Sequence, residues 1–346
     1  MLSSYPVFPI QLRSFTISAF PIFFLVFSFV HCDRKTETDP LSILPVLAAA
    51  SFVNESLDRT DCIEDIGCGF VSAKNGWSEI HIGELPIIIT SPHGGTLLPS
   101  EMSDRTTGTL GNDSNTADLA YKIGQEINVR LGKRPHLVIN RVDRSKVDMN
   151  RRIDEAMDDF VSPAFAENRI AYEDFHRFVS AAKGDVQKRF RRGILIDVHG
   201  HGQEQDIVQL GFNLTEAELE SDENEWAADL LHRSSSVQSL VDAGGISLRE
   251  VLIGDDAIGT LLEEKGYPSF PNRQLRNFPS SADNHYFTGG FISDVYGSDD
   301  GGNVDAFQME TPGPNVRNDE TLRAAFAGKF AESLIRFLKK AGYTIP

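Results

Sequence analysis

The stretch Ile194–Gly202, ILIDVHGHG, runs from apolar residues into Asp197, His199 and His201 on alternate positions. In an extended chain those three side chains share one side, where they can hold a cation or pass a proton. Glycines at 200 and 202 let the backbone come close to a bound group. Three other stretches carry polar ends of the same kind: SPHGGT supplies His93, VDMNRR supplies Asp148, Asn150 and Arg151, and FQMETP supplies Glu310. Two histidines and one acid form a catalytic zinc set that leaves a fourth position for water. Zinc makes such water acidic enough to act as a nucleophile near neutral pH. A separate carboxylate is then needed to carry a proton to a leaving nitrogen. Arginine offers a planar fork that matches a substrate carboxylate. No G-x-S-x-G elbow occurs, so the pattern does not point to a serine hydrolase.

These residues need strands to present them and helices to space the strands. Leu85–Thr90 (LPIIIT), Pro135–Asn140 (PHLVIN), the run into His199, Asp206–Phe212 (DIVQLGF), Tyr286–Val295 and Asp305–Glu310 (DAFQME) read as strands. Residues 116 to 131 place Leu119, Ile123 and Ile127 at helical spacing with Thr116 as cap. Residues 165 to 190, 224 to 241, 256 to 265 and 319 to 341 read as further helices. Strands separated by helices predict an α/β three-layer sandwich with a mixed, mostly parallel central sheet. Ligands then gather at the carboxyl ends of the parallel strands.

At 346 residues and a net charge of −17, the chain can bury a large core and has no electrostatic footprint for nucleic acid. Arg13 precedes the uncharged run Phe15–Val30, and Val30 and Cys32 sit where a signal-peptide cleavage after Cys32 places small residues. That reading makes residues 1–32 a signal peptide and the protein secreted. The same run, left uncleaved, is a membrane anchor. Residues 33–75 read as an N-terminal extension and 76–346 as the main domain. Cys62 and Cys68 can close a small disulfide loop in an oxidising compartment, with a metal-ligand role as the other possibility. Sequons at Asn54, Asn112 and Asn213 permit glycosylation.

The order PHGG, a Thr-Ala-Asp helix start, R-x3-DMNR, DVHGHG, YFTGGF and FQME, spanning His93 to Thr311, resembles the N-formylglutamate amidohydrolase family. That family is a distant relative of zinc carboxypeptidases and aspartoacylase-type deacylases. The resemblance implies a zinc-carboxypeptidase/phosphorylase-hydrolase-like sheet. It implies Zn2+ held by His93, Asp118 and His199, and Glu310 as general base. It also implies Arg144, Asn150 and Arg151 as a clamp for a substrate carboxylate, with Gly289 and Gly290 lining the pocket.

Plainer readings stand beside these. His93 can satisfy turn backbone, Asp118 can be a first-turn helix charge, Arg144 and Arg151 can be solvated loop charges, and Glu310 can end its strand in a salt bridge. His201 is open between a supporting donor, an alternative ligand and a transition-state hydrogen bonder. Carboxypeptidase-like enzymes take their acidic ligand a few residues after the first histidine, where Gly95, Thr96 and Leu97 stand here. The formylglutamate-type pattern has Ser at the place of Gly94. An export signal also argues against formylglutamate itself as substrate. Two readings follow: a secreted zinc amidohydrolase cleaving a small carboxylate-bearing amide (an N-acyl amino acid or short peptide), or an exported, non-catalytic ligand-binding protein of the same fold.

Overall fold

Every residue of Ile87–Ser91 is buried, as an apolar run without polar alternation requires when helices cover both faces of a sheet. The computed structural model describes residues 62–63, 67–221, 234–299 and 302–346. In chain order its elements are β1 (Cys62–Ile63), β2 (Gly67–Cys68), β3 (Phe70–Ser72), β4 (Ser78–His81), β5 (Ile87–Ser91), α1 (Thr116–Leu131), β6 (His136–Asn140), α2 (Ala166–Phe190), β7 (Gly193–His201) and β8 (Val208–Gly211). Then come α3 (Glu216–Glu220), α4 (Gln238–Gly244), α5 (Leu248–Ile253), α6 (Ile258–Glu263), β9 (Ser269–Phe270), α7 (Phe291–Tyr296), β10 (Val304–Pro312) and α8 (Glu320–Lys340).

Eight strands form one mixed sheet in the order β3-β4-β6-β5-β7-β10-β8-β9. The centre, β6-β5-β7-β10, is parallel, flanked by antiparallel β4 on one side and β8 on the other. Alternate strand residues feed two cores. Ile87, Ile89, Ile194, Ile196, Phe307 and Met309 pack with Leu119 and Ile123 of α1 and with Phe326 and Phe330 of α8. Ile88, Leu195 and Ala306 pack on the other face with Phe175, Phe178 and Val179 of α2. The result is the expected three-layer α/β sandwich.

Helix α1 carries the chain from β5 to β6, and α2 carries it back past β5 to β7 on the opposite face. The connections therefore diverge between β5 and β7, which opens a crevice at the carboxyl ends of that strand pair. His93 follows β5 and His199 lies on β7.

The structure departs from the sequence reading in three places. Phe70–Ser72 already pairs with β4, so the sheet begins before the expected domain start at Gly76. Tyr286–Val295 is not a strand: the glycine pair interrupts it, the Ser293 hydroxyl accepts from Gly290 N–H at 2.9 Å, and helix α7 starts there. Thr116 is the first helical residue rather than the cap. Asn115 precedes it with φ of 65°, and the Thr116 hydroxyl donates to Asp113 O at 2.8 Å. Cys62 and Cys68 stand directly opposite in the antiparallel register of β1 and β2. The apolar run before Asp33 and the sequon at Asn54 lie outside the described residues. No described helix is long and apolar enough to cross a membrane.

Candidate metal centre

His93 reaches the crevice from the turn after β5, and His199 from the end of β7. Their Nδ1 atoms lie 3.1 Å apart. Asp113, on the loop entering α1, brings Oδ2 to 3.3 Å from His93 Nδ1 and 3.0 Å from His199 Nδ1. All three residues are buried. Their outer atoms are fixed. His93 Nε2 faces Asp148 Oδ1 at 2.6 Å, and His199 Nε2 faces Asp197 Oδ2 at 2.8 Å.

An imidazole that donates its Nε2 proton to a carboxylate leaves an Nδ1 lone pair. With that tautomer, two lone pairs and a carboxylate oxygen point at one small volume, where a metal ion or a proton relieves their repulsion. A tetrahedral ion with bonds of about 2.0–2.1 Å separates its ligand atoms by about 3.3 Å. The observed triangle is close to that size. The donor set fits zinc: two nitrogens, one oxygen and one side left open.

The two backing carboxylates differ in their own support. Asp148 Oδ2 accepts from Arg144 Nε at 2.9 Å and lies 2.9 Å from Arg144 Nη2, and its Oδ1 also accepts from Asn150 N–H at 3.0 Å. Burial pushes the Asp148 carboxyl up, but His93 and then Arg144 outweigh it and hold it far below the usual range. Asp197 has no exposed surface and accepts the Thr90 hydroxyl at 2.6 Å. Burial also opposes charge on Asp113, yet the His93 and His199 imidazoles hold it well below the ordinary carboxylate value.

Glu310 comes from β10, where it is the register partner of His199 and of Gln209. Its Oε1 accepts from Gln308 Nε2 at 2.9 Å and lies 4.0 Å from His199 Nδ1. Its Oε2 is buried with no hydrogen-bond partner among the described residues. Burial pushes this carboxyl up to about 7, against the pull of His199. A carboxyl poised there can take and return a proton near neutrality.

The expected third ligand is corrected. The Asp118 side chain is 43% exposed and pairs with Arg323 Nε at 2.5 Å and Lys122 Nζ at 3.4 Å, on the outside of α1. Asp113, five residues earlier, is the carboxylate that joins His93 and His199 in a group able to hold a metal ion. Arg144 is likewise not left for substrate. It is buried against Asp148, with Nη1 3.6 Å from Asp113 Oδ1. Arg151 is partly exposed; its Nη1 donates to its own neighbour's carbonyl, Asn150 O, at 2.8 Å.

Asn150 is buried. Its Oδ1 accepts from Ile292 N–H at 2.8 Å and its Nδ2 donates to Gln308 Oε1 at 3.3 Å, so it anchors the start of α7 beside the histidines. Gly290 lies flat on these two amides: a Cβ there would stand 2.3 Å from Asn150 Nδ2 and 2.4 Å from Gln308 Oε1. Gly289, with φ of 146°, would meet Asn213 Oδ1 at 2.1 Å. The glycine pair is thus required by close packing at the wall of the site.

His201 is not a ligand in this arrangement. Its Nε2 donates to Ile207 O at 2.9 Å and its Nδ1 accepts from Gln203 N–H, which organises the turn after β7. The amides of Asn112 and Asn213, both in sequons, hydrogen-bond Asp143 and Asp299.

No family model matches the chain, and no curated protein matches it. Among solved structures it is similar to N-formylglutamate amidohydrolase from Ralstonia eutropha JMP134, with 15% identity, 77% of this chain and 97% of that chain covered, and a TM-score of 0.47. It is similar to a gene product from Agrobacterium tumefaciens at 13% identity, with 74% and 92% covered and a TM-score of 0.46. A metallo-carboxypeptidase from Burkholderia cenocepacia shares 9% identity over 85% of this chain and 68% of that one, with a TM-score of 0.34.

Proposed function

We propose that the protein is a zinc-dependent hydrolase of C–N amide bonds in small carboxylate-bearing substrates, such as an N-acyl amino acid or a short peptide. One observation carries the reading: His93 Nδ1, His199 Nδ1 and Asp113 Oδ2 converge within 3.3 Å of one another beside the buried, half-partnered carboxyl of Glu310. When bound, zinc supplies Lewis-acid polarisation of the amide carbonyl and acidifies water. Glu310 Oε2 takes a proton from the attacking water and returns it to the leaving nitrogen. Asp148 and Asp197 keep both imidazoles turned inward. Arg151, the partly exposed cation beside Asn150, holds the substrate carboxylate. Secretion, through cleavage after Cys32, belongs to the same proposal, as does a disulfide between Cys62 and Cys68. The non-catalytic alternative rested on a doubtful acidic ligand, and the approach of Asp113 to both histidines supports the catalytic reading over it.

The test is metal content and turnover of N-acyl amino acids by the purified protein and its Glu310→Gln variant. Wild type holds one zinc per chain and loses turnover on chelation. Glu310→Gln keeps the zinc and loses roughly 10²–10⁴-fold in kcat, the range for a general acid-base group. Full turnover by Glu310→Gln, or by the chelated wild type, removes the proposal.

A further inference from the structure

Arg317 lies in the turn after β10, 5% exposed, and its guanidinium donates to three backbone carbonyls. Nη1 donates to Ser114 O at 2.6 Å, Nη2 to His201 O at 2.8 Å and Nε to Thr311 O at 2.9 Å. Each acceptor sits one or two residues after a member of the site: Ser114 follows Asp113, His201 is two after His199, and Thr311 follows Glu310. Three segments remote in sequence are thereby tied to one rigid plane.

A second, independent observation agrees. A Cβ on Gly200 would stand 2.2 Å from Arg317 Cζ and 2.2 Å from Nε, so the strand end carrying His199 is bare where the guanidinium passes. Gly200 N–H in turn donates to Asp113 Oδ2 at 3.2 Å. The carbonyl of Arg317 itself accepts from Asn115 Nδ2 at 3.1 Å and from Arg323 Nη1 at 2.6 Å, which fixes the turn at its other end.

We infer that Arg317 is the positioning residue of this site: its planar fork sets the separation of Asp113, His199 and Glu310. This rests on the metal reading proposed above. An arginine can do this because its donors are coplanar and always charged. A lysine ammonium on a flexible stem cannot meet three carbonyls in one fixed geometry.

The experiment loads the full chain with zinc, and separately with cobalt(II), in wild type, Arg317→Lys, Gly200→Ala and the double variant. Zinc affinity is read by competition with a chromophoric chelator and coordination geometry by the visible cobalt bands. Arg317→Lys raises the zinc Kd about 10–100-fold, the usual cost of losing a supporting group, and weakens and shifts the cobalt bands. Gly200→Ala does the same in the native background but adds little to Arg317→Lys, because the crowding it creates needs the guanidinium. An unchanged zinc Kd and cobalt spectrum in Arg317→Lys overturns the inference, as do fully additive losses. Should Arg317→Lys fail to fold, a wild-type cobalt spectrum in Gly200→Ala overturns it. A wild type that binds neither ion takes down the metal reading and this inference with it. A wild type that binds both while the variants bind equally well takes down this inference alone.

Discussion

Asp113 and Asp118 are five residues apart on the same helix entry, and exchanging either for asparagine separates a ligand from a surface charge. Asp113 lies 3.0 and 3.3 Å from the two imidazole nitrogens. Asparagine keeps its shape and one acceptor for Gly200 N–H but removes the negative charge that a divalent ion requires. Losing a group that only supports a ligand costs about 10–100-fold in metal affinity. Losing a ligand itself should exceed the top of that range, so Asp113→Asn weakens zinc binding by more than about 100-fold, or about 2.7 kcal/mol. Asp118 is 43% exposed and its partners, Lys122 and Arg323, are partly covered cations on the outer side of α1. Such pairs contribute roughly 0–1 kcal/mol to stability, and none of it reaches the metal. Asp118→Asn therefore leaves zinc affinity unchanged and lowers the urea midpoint slightly or not at all. Competition with a chromophoric chelator measures the first quantity, and urea titration of the metal-free protein measures the second. Wild-type zinc affinity in Asp113→Asn, or a large loss in Asp118→Asn, would refute the ligand assignment.

Two further outcomes follow from particular contacts. Thr90→Val deletes the hydroxyl that holds Asp197 Oδ1 at 2.6 Å, while Thr90→Ser retains it. Zinc affinity should fall several-fold in the first, about 10–100-fold in Asp197→Asn, and recover in Thr90→Ser; equal affinities in all three exclude Thr90–Asp197 as support for His199. Asp305 is buried at the start of β10, and burial pushes its carboxyl up to about 6 from an ordinary 3.8. The folded state then holds this proton more tightly than the unfolded chain, so the residue lowers stability as pH rises from about 4 to about 6, by on the order of 2–3 kcal/mol. Asp305→Asn, which can still accept from Leu240 N–H and Ser298 Oγ, should remove that fall in urea titrations across the interval. An unchanged pH profile would show that Asp305 is ionised at no cost in the fold.

Much of the scaffold was legible because its signals are local. Helix α1 has the expected bounds, since Leu119, Ile123 and Ile127 repeat at helical spacing and Gly132 closes it with φ of 64°. Strand β7 runs to His201, so Asp197 and His199 do share a side. Tyr286–Val295 misled because its aromatic and β-branched residues mimic a strand. What decides the matter is Gly290, whose contact with Asn150 and Gln308 is made far away in sequence. Asp113 was missed for a similar reason. It sits in a loop, GNDSNT, where acids and amides usually satisfy turns, and only the meeting of three remote segments makes it a candidate ligand. Arg317 left no local trace at all; its three partners are backbone carbonyls, and its requirement for Gly200 spans more than one hundred residues. A faint signal existed in the glycine following His199, which has no turn to serve within a strand.

His199 and Glu310 owe their proximity to hydrogen-bonding between strands, and His93 follows two residues after the end of the neighbouring β5. β5, β7 and β10 are consecutive parallel neighbours, and Glu310 is the register partner of His199 while Gln308 and Thr90 are both partners of Asp197. Neighbouring strands lie about 4.8 Å apart, so one row of the sheet carries the reactive groups and the row beneath carries the polar residues that orient them. Asp113 has no such ladder. Its loop is held by Asp113 N–H donating to His93 O at 3.1 Å, by the Thr116 hydroxyl on Asp113 O at 2.8 Å, and by Arg317 on Ser114 O at 2.6 Å. The geometry of the cation site therefore divides into a part that is as rigid as the sheet and a part that is only as rigid as this loop. Perturbations of residues 111–116 should loosen Asp113, and with it the turn of His93 whose carbonyl accepts from Asp113 N–H, while leaving His199 and Glu310 in register, because nothing in the strand ladder depends on that loop.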